Sequence, residues 1–247
     1  MIKYSEICKK GRFDLRKFFS KEMLILLAIL LVLRITGGGL DFMDMLLSLP
    51  GIIIGLSFHE FAHGAVSYAL GDPTPKLQGR LTINPMAHMD PFGFLALMFA
   101  GFGWGVPVQI DPRYYKNRRR DEMLVSLAGV TMNLLLAILF SLILRFLFAA
   151  NPAWLSGEVG TVLTEMLLQV VIINLVLMVF NLIPVPPLDG FGIVTELFNL
   201  RRYDWYWKVY EYGFPILMLL IIFDVTDLIL TPGVNGIFQL LVNYVIF

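Results

Sequence analysis

Two histidines four residues apart with a glutamate beside the first, His59-Glu60-Phe61-Ala62-His63, stand in an otherwise apolar stretch of the chain. Residues four apart on a helix share a face, so both imidazoles can converge on one metal ion. Glu60 is placed as general base toward a water that such a metal activates. Chance is the competing explanation, and it produces this pattern in roughly one chain in a thousand of this size. A glutamate and two histidines in an apolar helix also cost free energy unless they pair or bind something. Rarity and cost together favour a metal.

Two histidines leave a catalytic metal short of ligands, because such a site usually takes three from the protein and keeps one position open. Asp189 is the best third candidate. It ends Asn181-Leu182-Ile183-Pro184-Val185-Pro186-Pro187-Leu188-Asp189-Gly190, where three prolines must break the preceding helix,. Broken backbone at membrane depth normally lines a site. The alternative is a turn in which Asp189-Gly190 merely reverses the chain. Asn174 and Asn181, seven apart, share a helical face that either lines a cleft or bonds to another helix. Asn133 reads first as an interhelical hydrogen-bond partner. His88, the remaining histidine, is either an active-site neighbour, as extra ligand or hydrogen-bond donor, or a loop-fixing residue.

The elements that must position these groups are written in the composition. Of 247 residues, 57% are hydrophobic and 15% charged, against about 25% charged in a soluble domain. The net charge of zero removes a general argument for nucleic-acid binding, so no nucleic-acid partner is expected,. Cys8 is the only cysteine, which excludes an internal disulfide and a cysteine-only metal site,. Residues 1–22 are basic and mixed, and no small-residue cleavage site follows, so the chain is expected to be a multi-pass membrane protein retained whole. With no long linker or repeat, 1–247 reads as a single membrane-embedded domain with a catalytic core at about 45–195.

Apolar stretches fall near 23–35, 45–70, 92–106, 123–149, 163–183, 213–230 and 233–247. The stretch 92–106 carries four glycines between Pro91 and Pro107, which suggests re-entrant, irregular or strand-like backbone rather than a span,. The expected fold is therefore an all-α membrane protein of about six transmembrane helices, with a Gly-rich, hairpin-like re-entrant segment between the second and third. With six spans, 17 of the 19 Lys and Arg fall on one side, Arg34 and Arg145 excepted. The positive-inside rule makes that side cytoplasmic, together with both termini, in a cell membrane. Seven spans would expose the run Arg113 to Arg120 on the other side. The triplet Arg118-Arg119-Arg120 reads as a headgroup anchor.

His59 to His63 together with Asn181 to Gly190 resemble the two motifs of the site-2 protease family of intramembrane metalloproteases (peptidase family M50). Gly71-Asp72-Pro73, Gly79 to Pro85 and His88 to Gly93 resemble its short bacterial-type branch, without PDZ or CBS domains. The likeness covers roughly residues 50 to 195. One departure is Val130 after Gly129, where relatives usually carry proline; Asn133 follows in its usual place. The resemblance implies one Zn2+ per chain held by His59, His63 and Asp189, with Glu60 as catalytic base. It implies Asn181 as a residue holding the substrate carbonyl or oxyanion. The implied activity is regulated intramembrane proteolysis, with membrane proteins cut in or beside a transmembrane segment. Other readings are a membrane metalloprotease of CAAX or heat-shock type, a transporter, and a non-catalytic metal-binding scaffold. The first would take its third ligand from a later glutamate, the second predicts pseudo-symmetric halves, and the third predicts loss of Glu60.

Overall fold

The computed structural model describes residues 42–91, 93–94 and 105–246. The chain divides into two compact units, Met43–Asp90 with Gly105–Phe247, and Met1–Phe42 with Pro91–Trp104. The second unit has only Phe42, Pro91, Gly93 and Phe94 among the described residues; everything below concerns the first.

The fold is mostly helical, and no strand occurs among the described residues beyond one antiparallel bridge between Met89 and Gly105. The principal helices are α1 (Phe42–Ala69), α2 (Arg118–Ala150), α3 (Glu158–Asn181), α4 (Asp189–Phe198), α5 (Asp204–Glu211), α6 (Gly213–Ile222) and α7 (Asp227–Leu241). Four described helices are long and apolar enough to cross a membrane: Met43–Ala69, Arg118–Ala150, Glu158–Asn181 and Asp227–Ile246. They include the expected second, third and fourth spans. The expected first span, 23–35, and nearly all of the re-entrant stretch 92–106 lie outside the described residues. The end of that stretch is tied back, because Val106 N–H donates to His88 O at 2.7 Å.

The last two apolar stretches divide elsewhere than the pattern 213–230 and 233–247 suggests. α6 stops at Ile222, ten residues and about 15 Å long, half the hydrocarbon thickness,. The chain turns at Asp224, which takes a left-handed φ of 54°, and α7 starts at Asp227. Pro232 lies inside α7 instead of ending the helix before it. It forgoes one backbone bond, while Val234 and Leu241 keep that helix packed on α3,.

The core sits between α2 and α3. Val130, Ala137 and Leu144 of α2 meet Leu167, Val171, Leu175, Met178 and Val179 of α3, and α7 closes the cluster. α1 joins through small residues. A methyl at Gly51 would stand 3.1 Å from Val170 Cα of α3, and one at Gly55 would meet Leu177 at 2.6 Å. Gly51, Gly55, His59, His63 and Ser67 follow one another at four-residue spacing. This stripe winds about 40° per step, so it meets α3 at one end and a loop at the other.

That loop is held by a buried carboxylate. Asp72 accepts from Ser67 Oγ (2.8 Å), the Thr74 amide (2.9 Å) and the Asp111 amide (2.7 Å). The Tyr115 hydroxyl bonds Ser67 Oγ at 2.7 Å, and burial pushes that phenol up to about 12. Asp111 in turn is held below the usual carboxylate range by its hydrogen bond with Arg113. Replacing Asp72 by Ala should raise amide hydrogen exchange at Thr74 and Asp111 and lower thermal stability by about 2–3 kcal/mol. Unchanged exchange would mean that the loop is held by other contacts.

Candidate metal centre

α1 presents His59 and His63 to α2, and α2 fixes both rings. His59 Nδ1 lies 2.6 Å from Asn133 Oδ1, and His63 Nδ1 lies 2.7 Å from the Val125 carbonyl. The Asn133 amide nitrogen donates to Asn174 Oδ1 (2.9 Å) and Gly55 O (3.2 Å), which leaves its oxygen for His59. Asn174 completes the chain by donating to Val170 O at 2.8 Å. With an acceptor opposite each Nδ1, both imidazoles carry their proton there and aim a bare Nε2 inward.

The third group arrives from the broken segment. α3 ends at Asn181, the prolines at 184, 186 and 187 prevent its continuation, and α4 starts at Asp189,. Asp189 Oδ2 stands 3.1 Å from His59 Nε2 and 3.3 Å from His63 Nε2, and the two Nε2 atoms are 3.0 Å apart. That carboxylate oxygen is buried and has no conventional hydrogen-bond partner. Three electron pairs thus point at one another, a repulsive arrangement that a cation resolves. Ligand atoms about 2.0–2.2 Å from a tetrahedral zinc stand about 3.3–3.6 Å apart, close to the spacing here. The donor set fits zinc.

Glu60 lies on the open side, where its Oε2 accepts from the Val108 amide at 2.8 Å. A cavity of about 210 Å3 opens here, lined by the two histidines, Glu60, Asn181, Asp189 and the apolar Pro107, Val108, Ile110, Val125 and Pro187, with Ser126. His59, Glu60, His63, Asn181 and Asp189 are therefore together. Asn181 donates to Leu177 O of its own helix at 2.9 Å, which uses one N–H of its amide. His88 is fully buried and bonds the Thr82 carbonyl through Nε2 at 2.7 Å; it is not among the residues lining this cavity. The arginine triplet bonds within the protein, Arg118 to Glu122, Arg119 to the end of α4 and Arg120 to Asp121.

Sequence reasoning noted Gly129 only as the residue before the departure at Val130 and gave it no role. A methyl there would lie 2.5 Å from His59 Cε1 and His63 Nε2, so only glycine lets α2 come this close to both rings. A glycine inside a long apolar helix, four residues before an asparagine, was the available signal. Alanine in a helix interior ordinarily stabilises by about 1 kcal/mol over glycine. Gly129→Ala should instead reduce bound metal well below one per chain, measured by elemental analysis of the detergent-purified protein. Full occupancy would show that the rings can move aside.

Comparison with known proteins agrees with this geometry. The family model described as Peptidase family M50 matches residues 48–223, which contain every residue of the centre. A Bacillus subtilis protein named "Putative zinc metalloprotease YwhC" is 37% identical over 185 residues, 75% of this chain and 84% of its own. Proteins named "Putative zinc metalloprotease Rip2" from Mycolicibacterium smegmatis and Mycobacterium tuberculosis are 29% and 31% identical. They match 81% and 77% of this chain, over 72% and 69% of their own lengths. No solved structure matches the chain.

Proposed function

Because the chain belongs to peptidase family M50 and is a zinc metalloprotease of the membrane, we propose that it cuts membrane proteins within or beside a transmembrane segment, as regulated intramembrane proteolysis requires. The observation that carries this is the place of the donor set within a helix long and apolar enough to cross a membrane. His63 and His59 lie six and ten residues before the end of α1, about 9 and 15 Å along its axis. The site belongs with substrates that reach the same depth.

His59 Nε2, His63 Nε2 and Asp189 Oδ2 would hold the zinc. When bound, zinc acts as a Lewis acid that makes water nucleophilic near neutral pH. Glu60 takes the proton from the attacking water on its carboxylate and returns it to the leaving amide nitrogen. Its bond from the Val108 amide keeps the carboxylate turned to the cavity. The Asn181 amide nitrogen, with one N–H on Leu177 O, offers the other to the carbonyl oxygen as it gains charge,. Asn133 and the Val125 carbonyl hold the imidazole tautomers through the cycle,.

The scissile segment must be extended at this point, since a helix keeps its carbonyls to itself. Pro107, Val108, Ile110, Val125 and Pro187 make the walls apolar, which suits a membrane-derived peptide. The basic residues flanking the spans support a cytoplasmic position for the open side and both termini in a cell-membrane protein,. Water then enters from that side.

The test uses the full chain in lipid vesicles with a panel of single-span peptides. The parent should cut them in or next to the span, and Glu60→Gln should cut about 10²–10⁴-fold more slowly while keeping its metal. Asp189→Ala should lose the metal as well. Cleavage confined to soluble unfolded peptides would overturn the intramembrane reading, and loss of metal in Glu60→Gln would overturn its role as base.

A further inference from the structure

The third proposed ligand sits at the first residue of a short helix. α4 begins at Asp189 with no side-chain cap, directly after the proline-broken segment. Its contact with α2 continues further along. Asp189 and Glu196, seven residues apart, share a face of α4,. Midway, Gly192 approaches α2 so closely that a methyl there would lie 2.6 Å from Ser126 Oγ. The helices thus run antiparallel, with Glu196 beside Glu122, Gly192 beside Ser126, and Asp189 beside the imidazoles that Val125 and Asn133 hold.

The far end of this contact is ionic and buried. Glu122 of α2 and Glu196 of α4 are both buried carboxylates. Arg201, just beyond α4, donates to both Glu122 oxygens, through Nη1 at 3.1 Å and through Nη2, and the same Nη2 lies 2.9 Å from Glu196 Oε1. Arg118 Nε pairs with Glu122 as well. Arg119 donates to the Glu196 and Leu197 carbonyls, which have no partner inside the helix,. Burial pushes the Glu196 carboxyl above the usual range. One guanidinium therefore bridges two carboxylates that would otherwise repel each other.

We propose that the Glu122–Arg201–Glu196 bridge is a positioning device for the metal centre, setting the height and rotation of α4 on α2 and thereby the place of Asp189 Oδ2 opposite the two imidazoles. The inference rests on the reading of Asp189 as a metal ligand. Apolar helix contacts tolerate small slides, whereas a guanidinium forked on Glu122 and in ion-pair contact with Glu196 ties the end of α4 to one place on α2,. A slide of one residue moves α4 by about 1.5 Å. Metal–ligand distances hold to about 0.2 Å, so a centre supported this way has no tolerance for that slide. The bridge lies about 10 Å along the helix from Asp189, too far to touch substrate or metal.

The test is cobalt binding to the detergent-purified full chain, read as the visible absorption of the bound ion and as affinity against a competing chelator. Glu196→Gln leaves Arg201 paired with Glu122 and so preserves the fold. It should shift the cobalt spectrum and weaken binding about tenfold, the scale expected for a group that orients a ligand. Arg201→Ala should do more, and Arg201→Lys should restore part of the affinity. Arg145→Gln is the structural control, since Arg145 bonds Val245 O at the other end of α2. It should lower thermal stability without altering the spectrum. Parent-like spectra and affinities in Glu196→Gln and Arg201→Lys, with cobalt lost in Asp189→Ala, would overturn the bridge alone. Retention of cobalt by Asp189→Ala would overturn the ligand reading beneath it.

Discussion

Everything at the centre depends on where two protons sit. Asn133 and the Val125 carbonyl claim the Nδ1 hydrogens of His59 and His63, and only then do both Nε2 lone pairs face inward. Both acceptors come from α2, so one helix determines the chemistry of two side chains on another. The requirement runs outward from there. α2 must come close enough, which leaves room for no side chain at residue 129. α1 must lie against α3 as well, which needs Gly51 and Gly55. Asn174 of α3 then steadies Asn133, so three membrane helices share one polar chain in an apolar interior. In a medium without water, each of these polar groups has to find its partner inside the protein.

Asp189 and Glu60 show two ways of placing a carboxylate. Asp189 is carried on a short helix that starts where α3 is broken, and its neighbour Phe191 stacks on Tyr206 of α5 with ring centroids 5.5 Å apart. Its freedom is limited by how α4 seats on α2 and α5. Glu60 is placed through the backbone, by an amide from the extended segment that follows the Met89–Gly105 bridge. That segment is in turn anchored by Asp72 at the Asp111 amide. The two carboxylates thus answer to different parts of the fold, one to helix packing and the other to a loop.

His59, Glu60, His63 and Asp189 were legible in the sequence because their signal is local. Four-residue spacing in an apolar stretch, and an aspartate after clustered prolines, each stand out without knowledge of the fold. Asn133 was visible as a polar residue that needed a partner, but a single chain does not tell which helix supplies it. Gly129 and the Glu122–Arg201–Glu196 bridge were not legible, since their meaning exists only across helix pairs. The partners of the exposed arginine triplet were hidden for the same reason: three adjacent charges read as a surface anchor, and the sequence does not tell that Arg119 also reaches the end of α4. The division of the last apolar stretches was also hidden. A proline at 232 is a strong local signal to stop, yet the chain turns earlier, at Asp224, and the packing of α7 on α3 carries the proline within a helix.

The bond between Glu60 and the Val108 amide ties together two properties that evolution usually adjusts separately. Val108 is a wall of the cavity and Glu60 is its proposed base, and a 2.8 Å contact joins the Val108 amide to the Glu60 carboxylate. A change at 108 that shifts this main chain to reshape the wall would therefore move the base in the same step. Lineages of this enzyme should diversify their preferences along the other walls, at Ile110 or Pro187, and leave the geometry at 108 alone.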